Sequence, residues 1–82
     1  MGDLILVRVD SPEKSIFEGK AKSVSSTNSQ GKFDILPFHA GFLTLIEEEP
    51  IIIRTAENKE VKLKFDRAVI YNRDNVVSVY TL

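Results

Sequence analysis

The sequence has 82 residues, with 11 basic and 12 acidic side chains, one histidine and no cysteine. A net charge of −1 with dispersed lysines and arginines argues against nucleic-acid binding, which calls for a clustered positive surface. The missing cysteines exclude disulfide bonds and thiolate zinc sites, and no apolar run approaches the roughly 20 residues that cross a bilayer. We therefore expect one small domain, residues 1–82, that is soluble and cytoplasmic and has a modest core.

The first half of the chain predicts short strands separated by turns. In residues 4–9 the side chains of Ile5, Val7 and Val9 share one face of an extended strand, which is the expected buried face. Pro12 predicts a turn at residues 11–14, because proline fixes φ and cannot continue a ladder. Two further strands are predicted at residues 15–19, where a glycine ends the strand, and at residues 20–27, which read as half-exposed.

The second half repeats this pattern. A strand at residues 33–36 ends at Pro37, and a second apolar strand follows at residues 42–46. Pro50 is expected at a strand start or on an edge, where its missing donor is harmless. The remaining predicted elements are strands at residues 51–53, 61–65, 68–71 and 76–80, with turns at residues 57–59 and 72–75.

Turn signals every 8 to 12 residues, with short alternating runs between them, are typical of an all-β sandwich or barrel. No window shows a sustained apolar period of 3.6 residues, so helix is expected to be almost absent.

Little in the sequence predicts bond chemistry. His39 is the one side chain that titrates near pH 7, but no nucleophile-elbow pattern accompanies it, and the glycines are isolated rather than gathered in a phosphate loop. Residues 47–49 are three glutamates, which are read as a solvated strand end rather than a cation site. Phe42 is expected in the core. Phe38 allows two readings, a core residue or an exposed protein contact.

Three segments, read together, are more specific than any of these features. They are Ser11-Pro12-Glu13-Lys14-Ser15-Ile16-Phe17-Glu18-Gly19, Gly31-Lys32-Phe33-Asp34-Ile35-Leu36-Pro37-Phe38-His39-Ala40 and Leu43-Thr44. With residues 69–71 and 75–79 they resemble the N-terminal domain of the ATP synthase epsilon subunit, whose mitochondrial counterpart is called delta.

The resemblance implies a flattened antiparallel β-sandwich of about ten short strands and a non-catalytic role without a cofactor. It implies a subunit of the rotating central stalk that binds the gamma subunit and the c-ring loops, with transient contacts to the alpha/beta head. Such a subunit helps to couple proton-driven rotation to ATP synthesis. It is a peripheral subunit on the cytoplasmic side of the inner (plasma) membrane and does not insert into the bilayer.

Carried over by position, the resemblance implies that Lys32 and His39 face the c-ring. Phe38, where the family has a glycine, is expected as a further contact on that side because an exposed aromatic loop residue suggests a protein contact. Lys32 departs from the family, which usually has a glutamate there, so any charge pairing with the c-ring would be reversed or lost. The family continues into a C-terminal helical hairpin where this chain reaches Leu82. We therefore expect the coupling role without the hairpin's inhibition or nucleotide sensing.

Two other hypotheses remain from the residues alone. One is a free-standing ligand-binding β-sandwich, for example a carbohydrate-binding module, although the chain has no tryptophan and only Tyr71 and Tyr80 as tyrosines. The other is a small hydrolase that uses His39, for which no nucleophile can be named.

Overall fold

The computed structural model describes residues 3–82, which form eight β-strands. The strands are β1 (Ile5–Asp10), β2 (Ser15–Asn28), β3 (Gly31–Ile35), β4 (Phe42–Glu47), β5 (Pro50–Thr55), β6 (Glu60–Lys64), β7 (Arg67–Arg73) and β8 (Val76–Thr81). Within these described residues, no helix is long and apolar enough to cross a bilayer.

The strands form one curled sheet in the order β4-β7-β8-β1-β2-β5-β6, and β3 pairs with β2 outside this path. All neighbours are antiparallel except β1 and β8, which run parallel. The 14-residue β2 is long enough to pair with β1 through its first half and with β3 and β5 through its second half. Its register with β5 shifts between Ala21 and Ser23, and a bulge of this kind bends and twists a strand.

The concave side of the curled sheet holds the hydrophobic core. Ile5, Val7 and Val9 are at most 1% exposed, as the alternation in β1 predicted. Six further strands contribute the other fully enclosed apolar residues, which are Ala21, Val24, Ile35, Ile46, Ile51, Ile53, Ala68, Ile70, Val77 and Val79. The principal extents of 35 × 28 × 21 Å describe a flattened body, as two facing layers of strands require.

The predicted all-β sandwich is confirmed, with eight strands rather than about ten. The predicted strand end at Gly19 is wrong, since β2 runs through it and Gly19 pairs with Val7. A Cβ at Gly19 would lie 3.4 Å from the ring of Phe17, so that ring covers the glycine within the strand. The parallel pairing of β1 with β8 joins the two ends of the chain and is not predicted by any local pattern.

Short turns connect the strands. At residues 11–14 the Ser11 Oγ accepts the backbone N–H of Glu13 and of Lys14, as expected for a turn rather than a helix start. The turn predicted at residues 72–75 is shorter than expected, because β7 extends to Arg73. Only Asp74 and Asn75 form it, with φ of 54° and 61°, the positive pair that a two-residue type I′ hairpin requires.

Candidate interface site

The connection between β3 and β4 is the most unusual segment of the fold. His39 donates its backbone N–H to the carbonyl of Leu36 at 3.1 Å, which closes a tight turn. Within that turn Phe38 has φ of 65°, a left-handed conformation that costs a residue with a Cβ roughly 1–2 kcal/mol. Phe38 is nevertheless 73% exposed, the largest exposure of any bulky apolar side chain in the described residues.

Two asparagines of the β7–β8 hairpin hold this loop. The Phe38 backbone N–H donates to the Asn75 Oδ1 at 2.6 Å. The Asn72 side-chain amide donates to the carbonyl of Ala40 at 3.1 Å and, at the longer distance of 3.4 Å, to that of His39. Asn72 is 1% exposed and lies on the core side of β7, so these bonds are what satisfy its buried amide.

Gly41 lets the loop approach β7 this closely. A Cβ at Gly41 would lie 3.1 Å from the backbone oxygen of Asn72, which is tighter than an ordinary contact and involves backbone that cannot swing away. Glycine at position 41 therefore suits the close approach of the loop to the hairpin, because a side chain would require the two backbones to move slightly apart.

A cleft of about 390 Å³ lies between the loop and the hairpin turn. Its lining residues are Phe38, His39, Gly41, Arg73, Asp74 and Asn75. Tyr71, and then Asp74, raise the pKa of the Arg73 guanidinium above its already high ordinary value. One wall of the cleft therefore carries a permanent positive charge beside the Asp74 carboxylate, 3.6 Å away.

Aromatic contacts connect the loop to β3. The His39 ring lies 5.5 Å from that of Phe42, which packs edge-to-face on Phe33 at 5.6 Å. Phe42 is half-buried against the core, which confirms its predicted place. Lys32 is exposed on β3 one residue before Phe33 and does not line the cleft.

A second surface is the convex side of β4, β7 and β8. Leu43 pairs with Tyr71, and Leu45 pairs with Val69, which in turn pairs with Tyr80 on β8. We call these five residues the outer apolar face. Four of them are large and exposed, from 39% for Tyr71 to 66% for Leu43.

Ion pairs border the outer apolar face. Arg67 and Glu47 lie 3.3 Å apart on β7 and β4, and Arg8 and Glu18 lie 4.0 Å apart on β1 and β2. An apolar area with a charged rim is typical of a protein-binding surface rather than of an ordinary exposed sheet.

The glutamates at residues 47–49 do not gather around a cation. Glu47 pairs with Arg67, and Glu48 turns the chain with φ of 56°. Glu47 and Glu49 do line a cleft of about 290 Å³. In residues 3–82, however, no group of three histidine, cysteine or acidic side chains is close enough to hold a metal ion.

The structure thus places Phe38 and His39 side by side in one exposed loop, and the reading of Phe38 as a core residue is wrong. Their contact with the c-ring, and that of Lys32, stays a prediction. Sequence reasoning missed Asn72 and Asn75, which carry no motif. It also missed the outer apolar face. A signal for this face was present, because residues 42–46 are apolar at all but one position, whereas a strand with one solvent-exposed side normally alternates apolar and polar residues.

Known proteins with similar sequences are ATP synthase subunits. The family described as "ATP synthase, Delta/Epsilon chain, beta-sandwich domain" matches residues 5–82. The ATP synthase epsilon chain of Clostridium botulinum (strain Alaska E43) is 28% identical over 81 residues, which cover 99% of this chain and 60% of that relative. The epsilon chain of Brevibacillus brevis is 30% identical over 73 residues, covering 89% of this chain and 55% of that one. The chain therefore spans somewhat more than half the length of these relatives.

Solved structures with the same fold also come from ATP synthases. A chain in the cryo-electron microscopy structure of the Euglena gracilis mitochondrial ATP synthase, which shows OSCP, F1 and the c-ring, superposes with a TM-score of 0.88 at 12% identity. The alignment covers 99% of this chain and 52% of that one. A chain in the Tetrahymena thermophila mitochondrial central stalk and c-ring structure gives a TM-score of 0.77 at 15% identity, covering 94% and 62%.

At 12% and 15% identity, the structural similarity shows only that the fold is shared. The family relationship is shown by the sequence match over residues 5–82. The epsilon chain of ATP synthase is a non-catalytic stalk subunit of the complex. The chain belongs to the family of ATP synthase delta/epsilon-chain β-sandwich domains.

Proposed function

We propose that this chain works as the β-sandwich of a central-stalk subunit in an F-type ATP synthase and binds both the gamma subunit and the c-ring. In this role it performs no bond chemistry and transmits rotation between its two partners, which couples proton flow to ATP synthesis. The observation that carries the proposal is the presence of two exposed apolar surfaces, the loop tip at Phe38 and the outer apolar face, on a domain of this family.

The loop at residues 37–41 is the proposed c-ring contact. Phe38 offers a large apolar surface at the tip, and the neighbouring cleft adds the charges of Arg73 and Asp74. A loop of the c-ring would then contact both an aromatic residue and a polar cleft. A short polar turn could fill the cleft while its neighbouring residues pack against the ring. Lys32 is the third predicted contact with the c-ring. It lies on β3 next to Phe33, which begins the series of aromatic contacts that reaches His39 through Phe42.

The outer apolar face is the proposed gamma contact. Its five residues occupy adjacent cross-strand positions on three strands, so they present a continuous and rigid surface. Burying such side chains yields about 25 cal/mol for each Å² of apolar surface, while the strands lose no freedom because they are already ordered. The ion pairs on its rim would set the orientation of the partner.

Co-purification tests this proposal. The protein is tagged in its native host, membranes are solubilised, and the proteins recovered with the tag are identified and quantified. We expect gamma, alpha, beta and c subunits in fixed proportion. Recovery of the tagged chain alone, while an intact synthase stays in the unbound fraction, would contradict the stalk role and favour the ligand-binding alternative.

A further inference from the structure

We propose that Asn72 and Asn75 are positioning residues, which lock the loop at residues 37–41 in the one conformation that can meet its partner. The proposal rests on the proposed function of that loop as the c-ring contact. It adds two residues that no motif identifies, and it assigns to the β7–β8 hairpin the control of a loop that lies more than 30 residues away in the sequence.

The strain at Phe38 is the first step of the argument. A phenylalanine with φ of 65° persists only where surrounding contacts hold it, and such residues are concentrated at binding sites. The Phe38 side chain gains no core contact from this conformation, since it is 73% exposed and fills no core space. The conformation instead directs an aromatic ring into solvent, where only a partner could use it.

The hydrogen bond from Phe38 to Asn75 is the second step. Its donor is the backbone N–H of the strained residue itself, so the 2.6 Å bond stabilises the left-handed turn directly. Asn75 has φ of 61° in the β7–β8 turn, where asparagine and glycine are favoured. The side chain thus extends from a rigid two-residue turn, which makes it a fixed anchor.

Asn72 is the third step and holds the other end of the loop. Its amide is enclosed at 1% exposure and would lack a partner if the loop moved away from the carbonyls of His39 and Ala40. Opening the loop would therefore leave a buried donor unpaired, which is costlier than breaking an exposed hydrogen bond. The two asparagines together oppose release of the loop at both of its ends.

The deciding variant is Asn75→Gly in the full-length chain. Glycine accepts φ of 61° and creates Asp-Gly, a favoured type I′ pair, so the hairpin is retained while the acceptor for Phe38 is lost. We expect the Phe38 amide to exchange roughly five- to tenfold faster, the factor that corresponds to one ordinary hydrogen bond. We also expect recovery of c-ring subunits with the tagged chain to fall by a similar factor.

Two companion variants separate positioning from structure. Asn75→Asp keeps an oxygen acceptor at the same place and is expected to restore both slow exchange and recovery. Asn58→Gly makes the same change at another asparagine with positive φ, 68°, in the turn between β5 and β6, and is expected to leave both unchanged. Asn72→Val fills the enclosed space with an apolar side chain of similar size and is expected to accelerate exchange at residues 39–41.

The outcomes are distinct. Unchanged exchange in Asn75→Gly would overturn the proposal, and so would faster exchange with full recovery of the c-ring. Lower recovery without faster exchange would also overturn it, because Asn75 would then touch the partner directly. If the unaltered chain recovers no synthase subunit, the proposed function fails, and the exchange of the Phe38 amide still decides whether Asn75 holds the loop.

Discussion

The Asn28 side-chain amide donates to the Thr44 Oγ1 at 3.0 Å, which joins β2 to β4 although these strands are not neighbours in the sheet. The same Asn28 side chain accepts the backbone N–H of Gln30 at 2.9 Å and so also shapes the turn into β3. One residue thus fixes a turn and connects the edge strand β4 to β2 across the curled sheet. It limits how far the sandwich can open on this side.

Thr44→Val should reveal what this connection contributes. Valine keeps the branched shape and β-propensity but removes the acceptor, so we expect the free energy of unfolding to fall by about 0.5–1.5 kcal/mol. Urea unfolding checks the value. Asn28→Ala would also disturb the turn at Gln30 and should cost more, and a double variant that is no worse than Asn28→Ala alone would confirm that the two side chains act on each other.

Truncation in the core should separate enclosed from half-buried positions. Val7 is 0% exposed, whereas Leu63 is only partly buried and packs against the edge of the core. Val7→Ala and Leu63→Ala are each expected to lower the free energy of unfolding by about 1–4 kcal/mol. Leucine loses more atoms than valine in this change, but Leu63 is already partly in contact with water, so its loss should be smaller than that of a fully buried leucine. Equal or greater loss at Leu63 would mean that β6 is packed more tightly than its exposure indicates.

Local patterns predicted most strands, because alternation is a short-range property. Ile5, Val7 and Val9 alternate with less buried residues, and β1 follows from them without further information. Pro50 begins β5, as its missing donor requires. The strand-breaking tendency of Gly19 was misleading, because the ring of Phe17 and the partner strand compensate for its missing side chain.

The site was predictable in part for the same reason. The proline, the histidine and an aromatic residue marked the loop at residues 37–41, but its conformation depends on Asn72 and Asn75, which the fold brings from a distant hairpin. A spacing rule cannot connect residues whose separation is set by the whole sheet. An asparagine in a turn is also explained by the turn itself, so its presence at position 75 does not indicate a second role.

Leu43→Lys should weaken assembly without unfolding the domain. Leu43 is 66% exposed and is the most exposed residue of the outer apolar face, so a charge there costs the isolated chain little but must be desolvated when a partner covers it. We expect recovery of the gamma subunit with the tagged chain to fall by about tenfold or more. Lys62→Glu on β6 is the matched control, since it alters an exposed charge away from this face. Equal recovery from both variants would contradict the assignment of the outer apolar face to gamma.

Phe38→Gly should change stability and assembly in opposite directions. Glycine adopts φ of 65° without the clash of a Cβ, so the free energy of unfolding is expected to rise by up to about 1 kcal/mol, less the entropy that glycine loses on folding. The same change removes the exposed ring, so recovery of c-ring subunits should fall.

Phe38→Ala is the control for this pair of effects, because it removes the ring but keeps the strained Cβ. Assembly should fall as in Phe38→Gly, while stability should stay near that of the unaltered chain. Urea unfolding and co-purification measure the two quantities separately. If Phe38→Gly lowered stability, the ring would be packing against the domain after all, and the loop would be held by Phe38 itself rather than by the asparagines of the β7–β8 hairpin.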